Sequence, residues 1–223
     1  TYIKKDGITT AGTYTFTLTA TDDDCAVNTA NIILTVDVTA SGAPAPYTEG
    51  MEAEWRFDEC TTWNGSSYDV VDSLGDVNHY GKASGGVAAV HSGKICRAAS
   101  FDGSNDKIVS DVLTGSDIMT FNDQVTFACW FKSPGGGGGS PRLIEFSDAA
   151  GSSGWRTAIC YDPDGSLRAW VSDQTSGTRG GEIDYHSELY NDNKWHHAVY
   201  TYSAANGGNL YVDNVLKQTA TDD

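Results

Sequence analysis

Residues 13–21 read Thr-Tyr-Thr-Phe-Thr-Leu-Thr-Ala-Thr. Tyr14, Phe16, Leu18 and Ala20 fall on one side of an extended chain and threonines on the other. That period-two pattern suits a half-buried β-strand and cannot give a helix an apolar stripe. After the acidic turn Asp22-Asp23-Asp24, residues 30–38 form a second strand rich in Ile, Leu and Val. Two strands cannot bury a core by themselves. They are expected to close a domain that began before Thr1, or one completed by another chain.

The same alternation recurs downstream, broken by Gly, Asn and Asp. Strands are expected near 53–58, 97–101, 106–109, 125–132, 142–147, 155–161, 166–172, 182–188, 195–202 and 208–213. Asp162-Pro163-Asp164-Gly165 is a strong hairpin turn, and Asn206-Gly207-Gly208 marks another. No convincing amphipathic helix interrupts the series. The fold class is therefore all-β: a partial immunoglobulin-like β-domain followed by a two-sheet antiparallel sandwich of jelly-roll type. The stretch Ala40-Ser-Gly-Ala-Pro-Ala-Pro-Tyr47 reads as a semi-extended linker. The divisions are 1–40 for the closing hairpin, 41–50 for the linker and 51–223 for the jelly roll. The glycine run between Pro134 and Pro141 lacks the spacing and the Lys-Ser/Thr of a phosphate-binding loop.

Charge narrows the partners. Asp and Glu number 30 against 14 Lys and Arg, a net charge of −16. Such a surface repels phosphate backbones, so nucleic acid is excluded as an expected partner, while hard cations such as Ca2+ are favoured. No run of 18 apolar residues exists, so this segment is expected to make no membrane insertion. Five cysteines, Cys25, Cys60, Cys96, Cys129 and Cys160, form no CxxC and no zinc spacing. Cys60 and Cys96 are the best disulfide pair. Cys129 and Cys160 either pair or remain buried thiols, and the partner of Cys25 is expected upstream.

Two resemblances follow from the motifs. Gly12 to Asp22 and the following Ile-Ile-Leu-Thr-Val strand resemble the closing strands of bacterial immunoglobulin-like and cadherin-like adhesin repeats. From residue 52 onward the motifs run in a set order. Glu54-Trp-Arg-Phe-Asp58 comes first, then Asp72-Ser-Leu-Gly-Asp-Val-Asn78-His-Tyr-Gly81 and Ala98-Ala-Ser-Phe-Asp-Gly-Ser-Asn-Asp106. Val125-Thr-Phe-Ala-Cys-Trp-Phe131, Trp195-His-His-Ala-Val-Tyr-Thr-Tyr202 and Leu210-Tyr-Val-Asp213 complete the series. This order resembles the laminin-G and concanavalin-A-like jelly rolls of bacterial surface proteins. Such domains usually continue to a final strand after the Leu-Tyr-Val-Asp segment. That strand is expected to be missing here, or the fold to close differently.

The resemblance implies that Trp195-His196-His197 is a packing signature. Adjacent strand residues also point to opposite faces, so the two histidines are not expected to share a site. Phe57, Phe101, Phe127, Ala128, Trp130 and Val199 are expected in the interior. A rim calcium site is implied as well, with Asp72, Asp76 and Asn78 as ligands in one loop and Asp102 and Asp106 nearby. Trp63, Trp155, Trp170, Tyr185 and Tyr190 are candidate sugar-stacking rings, of which Trp63 and Trp155 are expected to be the exposed ones.

The expected function is an extracellular or cell-surface adhesion module, not an enzyme, binding a glycan or a cell-surface protein. The alternative is a structural subunit, with copies of the chain assembled in a filament and missing strands donated by a neighbour. A glycoside hydrolase is a weaker third reading. Glu182, Asp184, His186 and Glu188 are expected on one side of a strand. Asp184 and Glu188 would then lie about 13 Å apart at strand rise, beyond the ~5–9.5 Å separations of paired catalytic carboxylates.

Overall fold

The computed structural model describes residues 12–19, 31–38, 51–59, 62–110, 124–135, 141–147, 156–172 and 179–221. The chain divides into two compact units, Thr1–Glu54 and Trp55–Asp223. In the first unit β1 (Gly12–Thr19) pairs antiparallel with β2 (Asn31–Val38), Gly12 opposite Val38 and Thr19 opposite Asn31.

The second unit begins with short elements. A 3-10 turn (Val77–His79) precedes β3 (Lys82–Ser84), β4 (Ala88–Val90), β5 (Ala98–Ser100) and β6 (Lys107–Val109). β3 pairs with β6 and β4 with β5. Their small core is Trp63, Val70, Ala83 and Val87, with Phe57 edge-on to Trp63 at 5.9 Å. The Trp55 indole N–H donates to the His79 carbonyl at 2.8 Å. The strand expected over 53–58 is absent, since those residues meet this core as an irregular segment.

The main sandwich uses β7 (Gln124–Phe131), β8 (Arg142–Ser147), β9 (Arg156–Tyr161), β10 (Leu167–Ser172), β11 (Arg179–Tyr185), β12 (His196–Ser203), β13 (Gly207–Val212) and β14 (Val215–Ala220). One antiparallel sheet has the order β11-β10-β9-β8, the other β14-β13-β12-β7. Alternation in each strand sends one set of side chains into a shared core of Phe127, Phe131, Ile159, Tyr161, Leu167, Ile183, Tyr200, Leu210 and Val212, among others. Each such side chain contributes about 1.5–3 kcal/mol by leaving water. The two sheets come into close contact where two glycines face each other. A β-carbon on Gly208 would meet the Gly181 carbonyl, and the Tyr200 hydroxyl donates to that same carbonyl at 2.9 Å.

β14 is a strand that the sequence reading did not anticipate. Asp213 and Asn214 both take left-handed φ values, 52° and 64°, and join Val212 directly to its partner Val215. Two consecutive left-handed residues make the tight hairpin turn whose twist matches that of its strands.

The parity of β7 is also corrected. Phe127 and Phe131 face the core, as expected, and Cys129 packs with them, whereas Ala128 and Trp130 point outward, Trp130 being 44% exposed. Val199 lies opposite Ala128 in the register and shares its outward side, and Phe101 is exposed. Cys96 is a free thiol, so the expected Cys60–Cys96 disulfide is not formed, and of the two alternatives for Cys129 and Cys160 the structure has free thiols. Cys129 faces the inter-sheet core, while Cys160 packs with Ala158 and Trp170 on the far side of the other sheet. The two sulfurs sit on opposite sides of that sheet and cannot meet. Burial raises the Cys129 thiol to about 12 and, as the largest influence, the Cys160 thiol to about 11, so neither is a ready nucleophile. Cys25 and Cys60 lie outside the described residues. No helix among the described residues is long and apolar enough to cross a membrane.

Candidate functional site

The β9–β10 turn builds the most chemically loaded corner of the sandwich. Asp162 accepts the Gly165 amide with its carbonyl at 2.8 Å, and Gly165 takes φ 99°, a conformation that glycine adopts without strain. Asp164 accepts from the Ser166 amide at 2.9 Å and its hydroxyl at 2.6 Å, and these bonds hold its carboxyl down at about 2. Asp162 is buried at 5% exposure. Its Oδ2 accepts from Arg168 at 3.0 Å, while its Oδ1 is buried without a hydrogen-bond partner.

Strand register brings β11 to this turn. Arg168 lies opposite Asp184, and its Nε contacts Asp184 Oδ1 at 3.4 Å. Two residues on, His186 places Nε2 at 2.8 Å from Asp184 Oδ1 and Nδ1 at 3.1 Å from Asp164 Oδ2. The hydrogen bond to Asp164 is the main influence raising the imidazole above its ordinary value. Asp162, Asp184 and His186 bring one ligand atom each within 4.8 Å of one another, the sole such carboxylate–imidazole group among the described residues.

Glu182 and Asp184 share the exposed outer side of β11 as expected. Glu188 does not. β11 ends at Tyr185, and the chain then turns. Glu188 accepts from the Tyr185 and Tyr190 hydroxyls, both at 3.1 Å, and from Lys217 of β14 at 2.8 Å. It is thus held at the edge between the sheets, away from Asp184's face.

The expected calcium ligands fall into two places. Asp72 is buried, accepts from the Leu74 amide at 3.0 Å, and contacts His79 Nδ1 at 3.1 Å. Asp76 caps the 3-10 turn by accepting from the Asn78 amide at 2.9 Å. Asp76 and Asn78 are exposed. Asp102 and Asp106 form a separate turn, where Asp106 Oδ2 accepts the Asp102 amide at 2.8 Å and Asp106 Oδ1 is buried without a partner.

Trp63, expected to be exposed, is instead buried in the small core. Tyr185 and Tyr190 belong to the sandwich core, and Trp170 is buried with Arg142 lying 5.3 Å over its ring. Trp155 lies outside the described residues. Among the described tryptophans the exposed one is Trp130, which stacks on His197 at 4.9 Å and carries Lys94 at 5.0 Å. The two adjacent histidines do face opposite ways. His196 packs on Phe131 and Tyr190 and lies between Asp213 at 2.8 Å and Asp192 at 3.0 Å.

At the other end of the β7–β12–β13 face lies an open depression of about 220 Å³. The hydroxyl-bearing Thr126, Thr201 and Ser203 and the amide-bearing Gln124, Asn206 and Asn209 line it beside Tyr202, and no charged residue does.

Among curated proteins, no sequence matches the chain. A solved structure described as the binding domain of Paraclostridial Mosquitocidal Protein 1 is similar at 17% identity with a TM-score of 0.47, over 72% of this chain and 39% of that chain. The laminin-G-type family described as the concanavalin A-like lectin/glucanases superfamily matches residues 102–223, more than half of the sequence. With that match and its all-β antiparallel sheets, the chain belongs to the concanavalin A-like lectin/glucanase superfamily.

Proposed function

We infer that the chain is an extracellular recognition module whose ligand is a glycan. The observation that carries this reading is the uncharged, hydroxyl- and amide-lined depression of β7, β12 and β13. Such side chains both donate and accept, which matches the hydroxyls of a sugar lying on the surface. The acidic surface supports the reading by discouraging anionic partners. Calcium dependence is proposed with it. Exposed Asp102 beside the unpartnered Asp106 Oδ1, and exposed Asp76 with Asn78, offer the oxygen atoms such an ion takes.

A second reading rests on a different surface. Trp130, Val215 and Leu216 are exposed on the β7/β12–β14 sheet, at 44%, 53% and 50%. Trp130 lies on one edge strand and Val215 and Leu216 on the opposite one, and exposed apolar side chains at both edges favour a protein partner, including a neighbour in an assembly. A glycan array in Ca2+ and again in chelator separates the readings. Retention of a glycan class that falls at least tenfold in Asn209→Ala and Thr201→Ala supports the first. Retention unchanged by those substitutions, or no retention, overturns it and leaves the protein-partner surface in front.

A further inference from the structure

We propose that Asp162, Asp184 and His186 form a binding site for a divalent transition-metal ion of the Zn2+ class. Two independent features point there. One carboxylate oxygen from each aspartate and one imidazole nitrogen already gather within 4.8 Å. In addition, Asp162 is about nineteen-twentieths buried and keeps Oδ1 without a partner. A buried carboxylate oxygen with nothing to accept from is costly to leave bare, and a cation held by Asp162 would supply what it lacks.

The surroundings fit a metal in two further ways. Asp162, Asp164 and Asp184 carry three negative charges, and Arg168 returns one through Asp162 Oδ2 and Asp184. A neutral His186 leaves two uncompensated charges, matching a divalent ion. Asp164, whose Oδ1 is pinned by Ser166, receives the His186 Nδ1 proton on its Oδ2 at 3.1 Å. That bond selects the tautomer whose Nε2 lone pair faces Asp184, the carboxylate–histidine–metal relay of zinc sites. Nε2 and Asp184 Oδ1 now stand 2.8 Å apart. Two tetrahedral ligand atoms on zinc stand about 3.3 Å apart, so seating the ion needs this pair to open by about half an ångström and Asp162 to close in from within the 4.8 Å that bounds the group.

The ligand chemistry chooses among ions. Two carboxylates and an imidazole suit Zn2+ and its neighbours, whereas Ca2+ prefers six to eight oxygens. Three protein ligands leave a tetrahedral position for water or for a ligand's oxygen. The bound ion would also tie the end of β11 to the β9–β10 turn.

The test is calorimetric Zn2+ titration of the full, tag-free chain carrying Cys25→Ser, Cys60→Ser and Cys96→Ser, so that these thiols do not compete. The expected result is one Zn2+ per chain, a melting temperature that rises with Zn2+, and far weaker heats from Ca2+. His186→Ala and Asp162→Asn should each weaken binding by more than tenfold. Asp164→Asn, at a residue that bonds the imidazole and Ser166 but is none of the three ligands, should weaken it about tenfold. Because Asp162 is buried, its variant could fail to fold, and the exposed His186→Ala decides the matter. Absence of Zn2+ binding, binding unchanged by His186→Ala, or equal affinity for Ca2+ each overturns the assignment.

Discussion

Two histidines in this sandwich are flanked by aspartates in nearly the same way, yet they are built for different ends. His196 lies between Asp213 and Asp192, and its ring packs on Phe131 and Tyr190 with 13% of the side chain exposed. His186 lies between Asp164 and Asp184 with half of its side chain exposed. The first is closed by packing, and both of its carboxylates are occupied by neighbouring donors as well: Asp213 by the His197 amide, Asp192 by Lys194. The second stands within 4.8 Å of a carboxylate oxygen of Asp162, a buried residue whose Oδ1 has no partner. The difference teaches that an Asp–His–Asp motif is structural or available according to what lies behind it. The spacing of its members does not tell the two apart.

The largest effect that could break this contrast is on stability. His196→Ala removes two charge-assisted hydrogen bonds and the ring contacts with Phe131 and Tyr190, and should cost about 2–4 kcal/mol. His186→Ala should leave the urea midpoint where it is. Equal losses from the two substitutions would erase the distinction.

A pH profile sharpens it next. Burial works to lower the His196 imidazole, but its bonds to Asp213 and Asp192 outweigh burial and hold it above its ordinary value of 6.5. A raised imidazole contributes stability that is fully present below 6.5 and is lost as pH climbs through the higher folded value. Asp213 behaves oppositely: burial works to raise it, and the His196 bond wins and lowers it below 3.8. Its contribution is present above 3.8 and is lost as pH falls through the lower folded value. Stability from this pair should therefore peak between about pH 4 and 6.5, and His196→Gln should flatten that peak in urea titrations at stepped pH.

The smallest expected effect is on titration alone. The Asp164 bond is the main influence raising His186, so Asp164→Asn should lower that imidazole toward 6.5 in an NMR titration. The melting temperature should not move. A drop in melting temperature would make Asp164 a structural pin like Asp213.

Much of the frame was legible along the chain. Strands β7 to β13 stood out because apolar and polar residues alternate between turn signals, and Asp162-Pro-Asp-Gly165 declared its hairpin. The opposite facing of His196 and His197 followed from strand geometry. Parity in β7 was not legible: Phe127, Ala128, Cys129 and Trp130 are all apolar, so nothing in the run says which alternate set meets the core. Trp63 misled for the converse reason, since its Asn, Gly and Ser neighbours resemble an exposed turn while its ring fills the small core. β14 escaped notice because Asp213-Asn214 lacks a glycine and because Val215 and Leu216 are both exposed.

The sequence by itself determined the all-β class, the turn at Asp162–Gly165 and the shared side of Glu182 and Asp184, because alternation and turn chemistry act over a few residues. Only the tertiary structure decided that Asp162 and His186, far apart along the chain, meet at one corner. That meeting depends on the register of β10 against β11 and on the depth at which Asp162 is buried. Both are outcomes of packing the whole sandwich, which no local pattern encodes.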